Sequence, residues 1–272
     1  MKNQKNKRNI SRTSVMHYVK LAVRSAFFVT ALILYVISRV NNTGDLFGGY
    51  ERIPWILVVT GIFYAVEMLL RFFPSRLESP GCQKQFKRNF RPTDEQLPRL
   101  QSPWRTLSVA LVWIVLNTAI GALYYAGLFD AGILVLISLG YGVCDMVCIL
   151  FFCPFQTWFM KNRCCTDCRI YNWDFAMMFT PYVFIPHPYT WSLFAMSLVL
   201  LLRWEITVAR HPERFAENTN ACISCKNCNE KLCAHKTQLR SFIVKNKKRL
   251  LLKGNELLEG LDRTIKRRKG KK

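Results

Sequence analysis

The sequence predicts an all-α integral membrane protein: a polytopic helix bundle of about six transmembrane segments, five clear and one short and proline-interrupted, with a cytoplasmic Cys-rich extension. Three observations predict it. Apolar residues, 51% of the 272-residue chain, gather into blocks long enough to cross a bilayer. The net charge of +22 gathers instead in the tails and connecting loops. Those basic loops fall on one side of the predicted membrane.

Taken in order, the N-terminal region 1–20 is basic, with Lys2, Lys5, Lys7, Arg8 and Arg12 ahead of an apolar run from Ala22. This order imitates a signal peptide. The run is longer than such an apolar core, however, and no small-x-small cleavage site follows, so it reads as a retained first span. A helix needs roughly 20 mostly apolar residues to cross. Segments 21–40, 54–73, 106–129, 131–152 and 189–208 meet that need, and together with 170–185 they make up a transmembrane region 21–208. Segment 170–185 is the short one. At ~1.5 Å per residue it covers only ~24 Å of a ~30 Å core. Pro181 interrupts its second half. It reads as a short tilted span or as a broken segment buried among its neighbours, where irregular backbone is tolerated.

Charge asymmetry orients the chain. Loops 74–104 and 153–169, both termini and nearly all loop Lys and Arg share one side, against Arg52 as the sole strong base of the opposite loops. The positive-inside rule makes the basic side cytoplasmic and suits a prokaryotic plasma membrane. Trp55, Trp104, Trp173, Trp191 and Trp204 fall near span ends, where amphipathic rings favour the interface. Gly140 and Gly142 suggest close helix packing.

After the last span comes a Cys-rich segment, 209–237, read as metal-binding. Cys222, Cys225, Cys228 and Cys233 lie close together with His235 beside the last. In a reducing compartment, Cys-x-x-Cys spacing more often serves metal binding or redox exchange than structural disulfides. Two metals compete. The triple repeat resembles the ferredoxin-type cluster pattern, which implies a 4Fe-4S cluster, but four residues rather than three precede Cys233 and Ala234 stands where that pattern has proline. A zinc ion held by the four cysteines, or by Cys225, Cys228, Cys233 and His235, is the other reading. Cys164, Cys165 and Cys168 form a second group that the predicted topology returns to the same face, where they are further candidate ligands. Cys144 and Cys148, one turn apart in a span, read as small packing residues.

Ionisable residues at membrane depth are functional hypotheses by default. Glu67, Asp145 and Arg203 are the principal ones, with Asp174 and Glu205 at the margins. Arg71 is one turn from Glu67, Arg203 is close to Glu205, and a pair between Asp145 and Arg203 is expected to tie the fourth span to the last. No phosphate-binding loop, HExxH or nucleophile elbow occurs, and no catalytic residue is assigned.

The tail, 238–272, is basic and amphipathic. Lys245, Lys247, Lys248, Arg249, Arg267 and Arg268 suit anionic lipid head groups, at ~1 kcal/mol per base near such a surface. Tethering to the membrane makes lipid a simpler partner than nucleic acid. The lead expectation is therefore a multi-pass membrane protein with a cytoplasmic metal site, serving iron–sulfur electron transfer with a redox partner. The alternative is a scaffold or assembly protein with structural zinc. The third is a transporter or membrane enzyme using the intramembrane acidic residues.

Overall fold

The computed structural model describes residues 12–41, 55–74, 80–162, 168–224 and 246. The chain is a mostly helical, multi-spanning membrane protein. Seven α-helices are described: α1 (Arg12–Val40), α2 (Trp55–Leu70), α3 (Pro80–Gln85), α4 (Pro103–Tyr125), α5 (Ala131–Leu150), α6 (Asp174–Phe179) and α7 (Pro188–Arg210). Four of them, α1, α4, α5 and α7, are long and apolar enough to cross a bilayer, and α2 is a shorter apolar helix. Two compact units divide the chain, Met1–Glu230 and Lys231–Lys272; the second is described only at Asn246, which is helical.

Local chemistry sets the helix ends. Pro103 and Pro188 occupy the first turns of α4 and α7, where a missing N–H is harmless. Asp130 caps α5 by accepting the Ile133 N–H at 2.7 Å, and His187 caps α7 by accepting the Tyr189 N–H. Between α4 and α5 the chain reverses through Gly127 at φ +75°, a left-handed position that glycine adopts without a Cβ penalty.

The buried apolar core joins α1, α2, α5, α6 and α7 through residues such as Leu57, Met68, Leu134, Leu139, Phe179 and Leu200. At its centre runs segment 171–184, which is not one helix. A 3₁₀ turn (Tyr171–Trp173) leads into α6, and a second 3₁₀ stretch (Thr180–Phe184) follows with Pro181 in its first turn. Neighbours supply what its irregular backbone lacks. Ser138 donates to the Met178 carbonyl at 2.8 Å, while Trp113 anchors a side chain of the segment by donating to Thr180 Oγ1 at 3.1 Å. The expectation of a broken segment buried among its neighbours matches this arrangement.

The bundle has two unlike ends. One gathers the start of α1 and the ends of α2, α5 and α7; this is the charged end. A cap covers part of it. The stretch 83–101 lies against 211–224 through the Pro92–Asn220 bridge and through Asn220, which donates to the carbonyls of Lys84 and Arg214. Trp204 packs edge-on between Phe86 and Phe215 beneath the cap. Within loop 74–104, α3 and a 3₁₀ turn (Lys87–Asn89) occupy part of the chain.

Candidate functional site

Three side chains on one face of α1 begin the site. His17, Lys20 and Arg24, at spacings of three and four residues, point the same way along the helix. Arg24 is 1% exposed and is the centre of a buried charge cluster. Its guanidinium donates to Glu67 of α2 at 2.8 Å, to Asp145 of α5 at 2.9 Å and to the Gly142 carbonyl at 3.0 Å. Lys20 forms an ion pair with the other Glu67 oxygen at 2.8 Å. Beside it, Arg71 grips Asp174 with two hydrogen bonds, one of 2.6 Å, and ties α2 to α6. The Phe175 ring is packed against both cations, 5.8 Å from Arg24 and 4.5 Å from Arg71. Gly142 allows close packing at this junction, since a Cβ there would meet Tyr64 Oη at 2.6 Å and Met178 Sδ at 2.7 Å and displace them. At Gly140, by contrast, a Cβ would find ordinary contact.

The expected pairings therefore change partners. Asp145 binds Arg24, whereas Arg203 donates to the Phe72 carbonyl at 2.6 Å and lies over the Phe72 ring. Glu67 binds Arg24 and Lys20 rather than Arg71. Glu205 takes Arg169 and the Trp173 indole N–H rather than Arg203. Sequence reasoning passed over Arg24, Lys20 and His17. The signal was present as a polar stripe on a helix that otherwise reads as apolar. His17 is buried, and neither ring nitrogen has a hydrogen-bond partner among the described residues.

Adjoining the cluster is a cavity of about 130 Å³ between α4, α5 and the broken segment. Its walls are mainly apolar and aromatic, with Trp113, Tyr141, Phe155 and Met178 among them. Asp145 and Asp174 reach it from the charge cluster, and the 18% of the Asp145 side chain that stays accessible belongs to a residue lining this space. Four thiols line it as well: Cys144, Cys148, Cys153 and Cys168. Cys144 and Cys148 thus border a cavity where simple packing was expected. A π-helical turn, Phe155–Met160, roofs the space and ends at Lys161, a non-glycine residue at φ 53°.

The metal reading is corrected. Among the described residues no group of three or more His, Cys, Asp or Glu side chains is arranged to hold a metal ion. The physical reason is that the described members of the two Cys groups are engaged elsewhere. Cys222 donates its thiol hydrogen to the Asn89 carbonyl at 2.9 Å, and Cys168 packs with Val109, Met160 and Ile170. With the site go the zinc and iron–sulfur cofactors, the electron-transfer role built on the cluster and the zinc-clipped scaffold. Cys164, Cys165, Cys225, Cys228, Cys233 and His235 lie outside the described residues, as do Lys245, Lys247, Lys248, Arg249, Arg267 and Arg268. The described cysteines form no disulfide.

No protein-family description, curated protein or solved structure matches this chain.

Proposed function

We propose that the chain is a small-molecule-binding protein of a prokaryotic plasma membrane, with six membrane segments and both termini in the cytoplasm. The ligand is small, flat and mostly apolar, and it sits in the cavity at the cytoplasmic end of the bundle. One observation carries this reading: a space of about 130 Å³, walled mainly by aromatic and apolar side chains, with Asp145 and Asp174 of the charge cluster among its lining residues. An apolar cavity of ~150 Å³ takes up a benzene-sized molecule. The charge cluster is the cavity's support. Lys20, Arg24 and Arg71 balance Glu67, Asp145 and Asp174, so the cluster has no net charge to offer a transported ion.

The sidedness is supported by exposed Lys87, Arg88, Arg91, Arg105, Lys161 and Arg210 at the charged end, with Trp104 exposed beside them. A sixth crossing is supported by the broken segment. Asp174 bonds to Arg71 at the charged end, and Phe184 meets Tyr125 at the far end of α4. Because a 3₁₀ turn rises ~2.0 Å per residue, this mixed segment reaches ~25 Å, further than an α-helix of equal length. Region 1–20, the Cys-rich segment 209–237 and the tail 238–272 then share the cytoplasmic face. There the tail bases lie on anionic lipid head groups.

The test is to fill the cavity. The protein is purified in native-lipid nanodiscs, and Ile149→Phe and Met177→Phe are compared with wild type by native mass spectrometry and thermal unfolding. A small-molecule adduct on wild type that both variants lose supports the proposal. Absence of any adduct, with the filled variants more stable than wild type, marks the space as a packing void and overturns it.

A further inference from the structure

The cavity's polar contacts narrow the chemistry of its ligand. Asp145 and Asp174 are the charged residues of its lining, and both carboxylates lie against an arginine. They differ in what is left over. Arg71 takes both oxygens of Asp174. Arg24 takes only Oδ2 of Asp145, at 2.9 Å, and Oδ1 accepts no hydrogen bond among the described residues. That oxygen is not sealed inside the protein either, since the Asp145 side chain stays 18% accessible. A carboxylate oxygen with open lone pairs calls for a donor. Tyr141 lies one turn before Asp145 on α5, so an aromatic wall stands next to the open acceptor. The Trp113 ring packs 4.7 Å from that of Tyr141, and its indole N–H already donates to Thr180 Oγ1. Met177 and Met178 add thioethers, which contact aromatic rings favourably.

We infer that the ligand is a neutral aromatic hydrogen-bond donor of the phenol class, with its O–H donating to Oδ1 of Asp145 and its ring held among Trp113, Tyr141 and Met178. Granted that the cavity is a small-molecule site, on which this assignment rests, charge decides which aromatic ligand it takes. Lys20, Arg24 and Arg71 already balance Glu67, Asp145 and Asp174. An arylmethylammonium would add a positive charge to that balanced group, on the same carboxylate as the Arg24 guanidinium. An arylcarboxylate would bring a second acceptor against Oδ1, and no cation stands in the cavity lining among the described residues. Either leaves an uncompensated charge away from water, which is costly. A plain arene fits the walls but covers Oδ1 with apolar surface and strips it of solvent. A phenol avoids all three penalties. With a pKa of ~10 it keeps its proton at neutral pH and donates it to the carboxylate in a charge-assisted hydrogen bond.

The full chain in nanodiscs is titrated with phenol, toluene, anisole, benzoate and benzylammonium by saturation-transfer NMR. Each affinity is referred to that compound's lipid-phase concentration, measured with empty nanodiscs. Phenol binds about tenfold tighter than toluene, the advantage of one hydrogen bond to a charged acceptor. Anisole, which keeps the oxygen but has no donor, matches toluene, and neither ion binds. Infrared difference spectra of protein carrying isotope-labelled aspartate show a shifted carboxylate band when phenol is added. Asp145→Asn cuts the phenol advantage to about threefold or less, because the acceptor loses its charge. Phenol and toluene that bind equally overturn the donor assignment and leave the small-molecule reading intact. Tightest binding of benzylammonium or benzoate overturns the ligand's neutrality, again without touching that reading. An unshifted carboxylate band, read on wild type whether or not Asp145→Asn folds, overturns the contact with Asp145. An Asp145→Asn protein that keeps the full phenol advantage does the same. Binding of none of these compounds overturns the phenol together with the reading it rests on.

Discussion

The two ends of the bundle solve the same problem with different chemistry. At the charged end, Lys20, Arg24, Arg71, Glu67, Asp145 and Asp174 are held inside the protein, and each pair joins two helices. At the opposite end the equivalent joints are lighter. Tyr189 of α7 donates to the Leu57 carbonyl of α2 at 2.6 Å, and Phe184 packs against Gly121. Asp130 receives Tyr35 at 2.9 Å and Arg39, whose side chain is 59% exposed. Buried charge demands complete pairing, because an unpaired ion away from water is expensive, while a neutral joint tolerates loss. One end should therefore fail as a unit and the other by degrees.

Substitutions graded by burial break or sharpen this contrast. Arg24→Leu leaves two carboxylates without their shared cation and should cost ~3–5 kcal/mol, seen as loss of folded protein in fluorescence-detected size-exclusion chromatography. Pairing it with Glu67→Gln should recover part of that loss, since one stranded charge is removed. A single Arg24→Leu variant that melts like wild type would falsify the cluster as a structural unit. Arg71→Gln comes next, at ~2–3 kcal/mol by thermal unfolding, because Asp174 keeps a face on the cavity. Tyr189→Phe removes one neutral hydrogen bond and should cost ~1 kcal/mol; a cost as large as that of Arg71→Gln would erase the difference between the ends. Arg39→Ala should change stability by less than ~0.5 kcal/mol and should lose even that in high salt.

How much of this could be read from the residues follows from range. The long helices were legible because their signal, a sustained apolar run, is local, and so was the break at 170–185, marked by its length and by Pro181. Partner choice was not. Asp145 has Arg203 and Arg24 as rivals in sequence, and only the packing of α1 against α5 decides for Arg24. The stripe of His17, Lys20 and Arg24 was readable by its spacing, but the apolar mean of the first span hid it. The cysteines misled for a different reason. Spacing states which thiols are able to approach one ion, but not which backbone carbonyl, such as that of Asn89, takes a thiol first. The cavity had no sequence signature, because its walls come from α4, α5 and two loop-flanked turns far apart in the chain.

The broken segment carries a consequence for biogenesis. A continuous apolar helix enters the bilayer with its backbone already satisfied, whereas Tyr171–Phe184 has its Met178 carbonyl bonded by Ser138, from a helix made before it. Its exit, at Thr190, is fixed by a hydroxyl of α7, which donates to the Ile185 carbonyl at 2.8 Å and is made afterwards. Insertion of this protein is therefore expected to be staged. The long helices enter one by one, the segment waits at the protein–lipid boundary, and it seats only when α7 emerges to close the bundle around it.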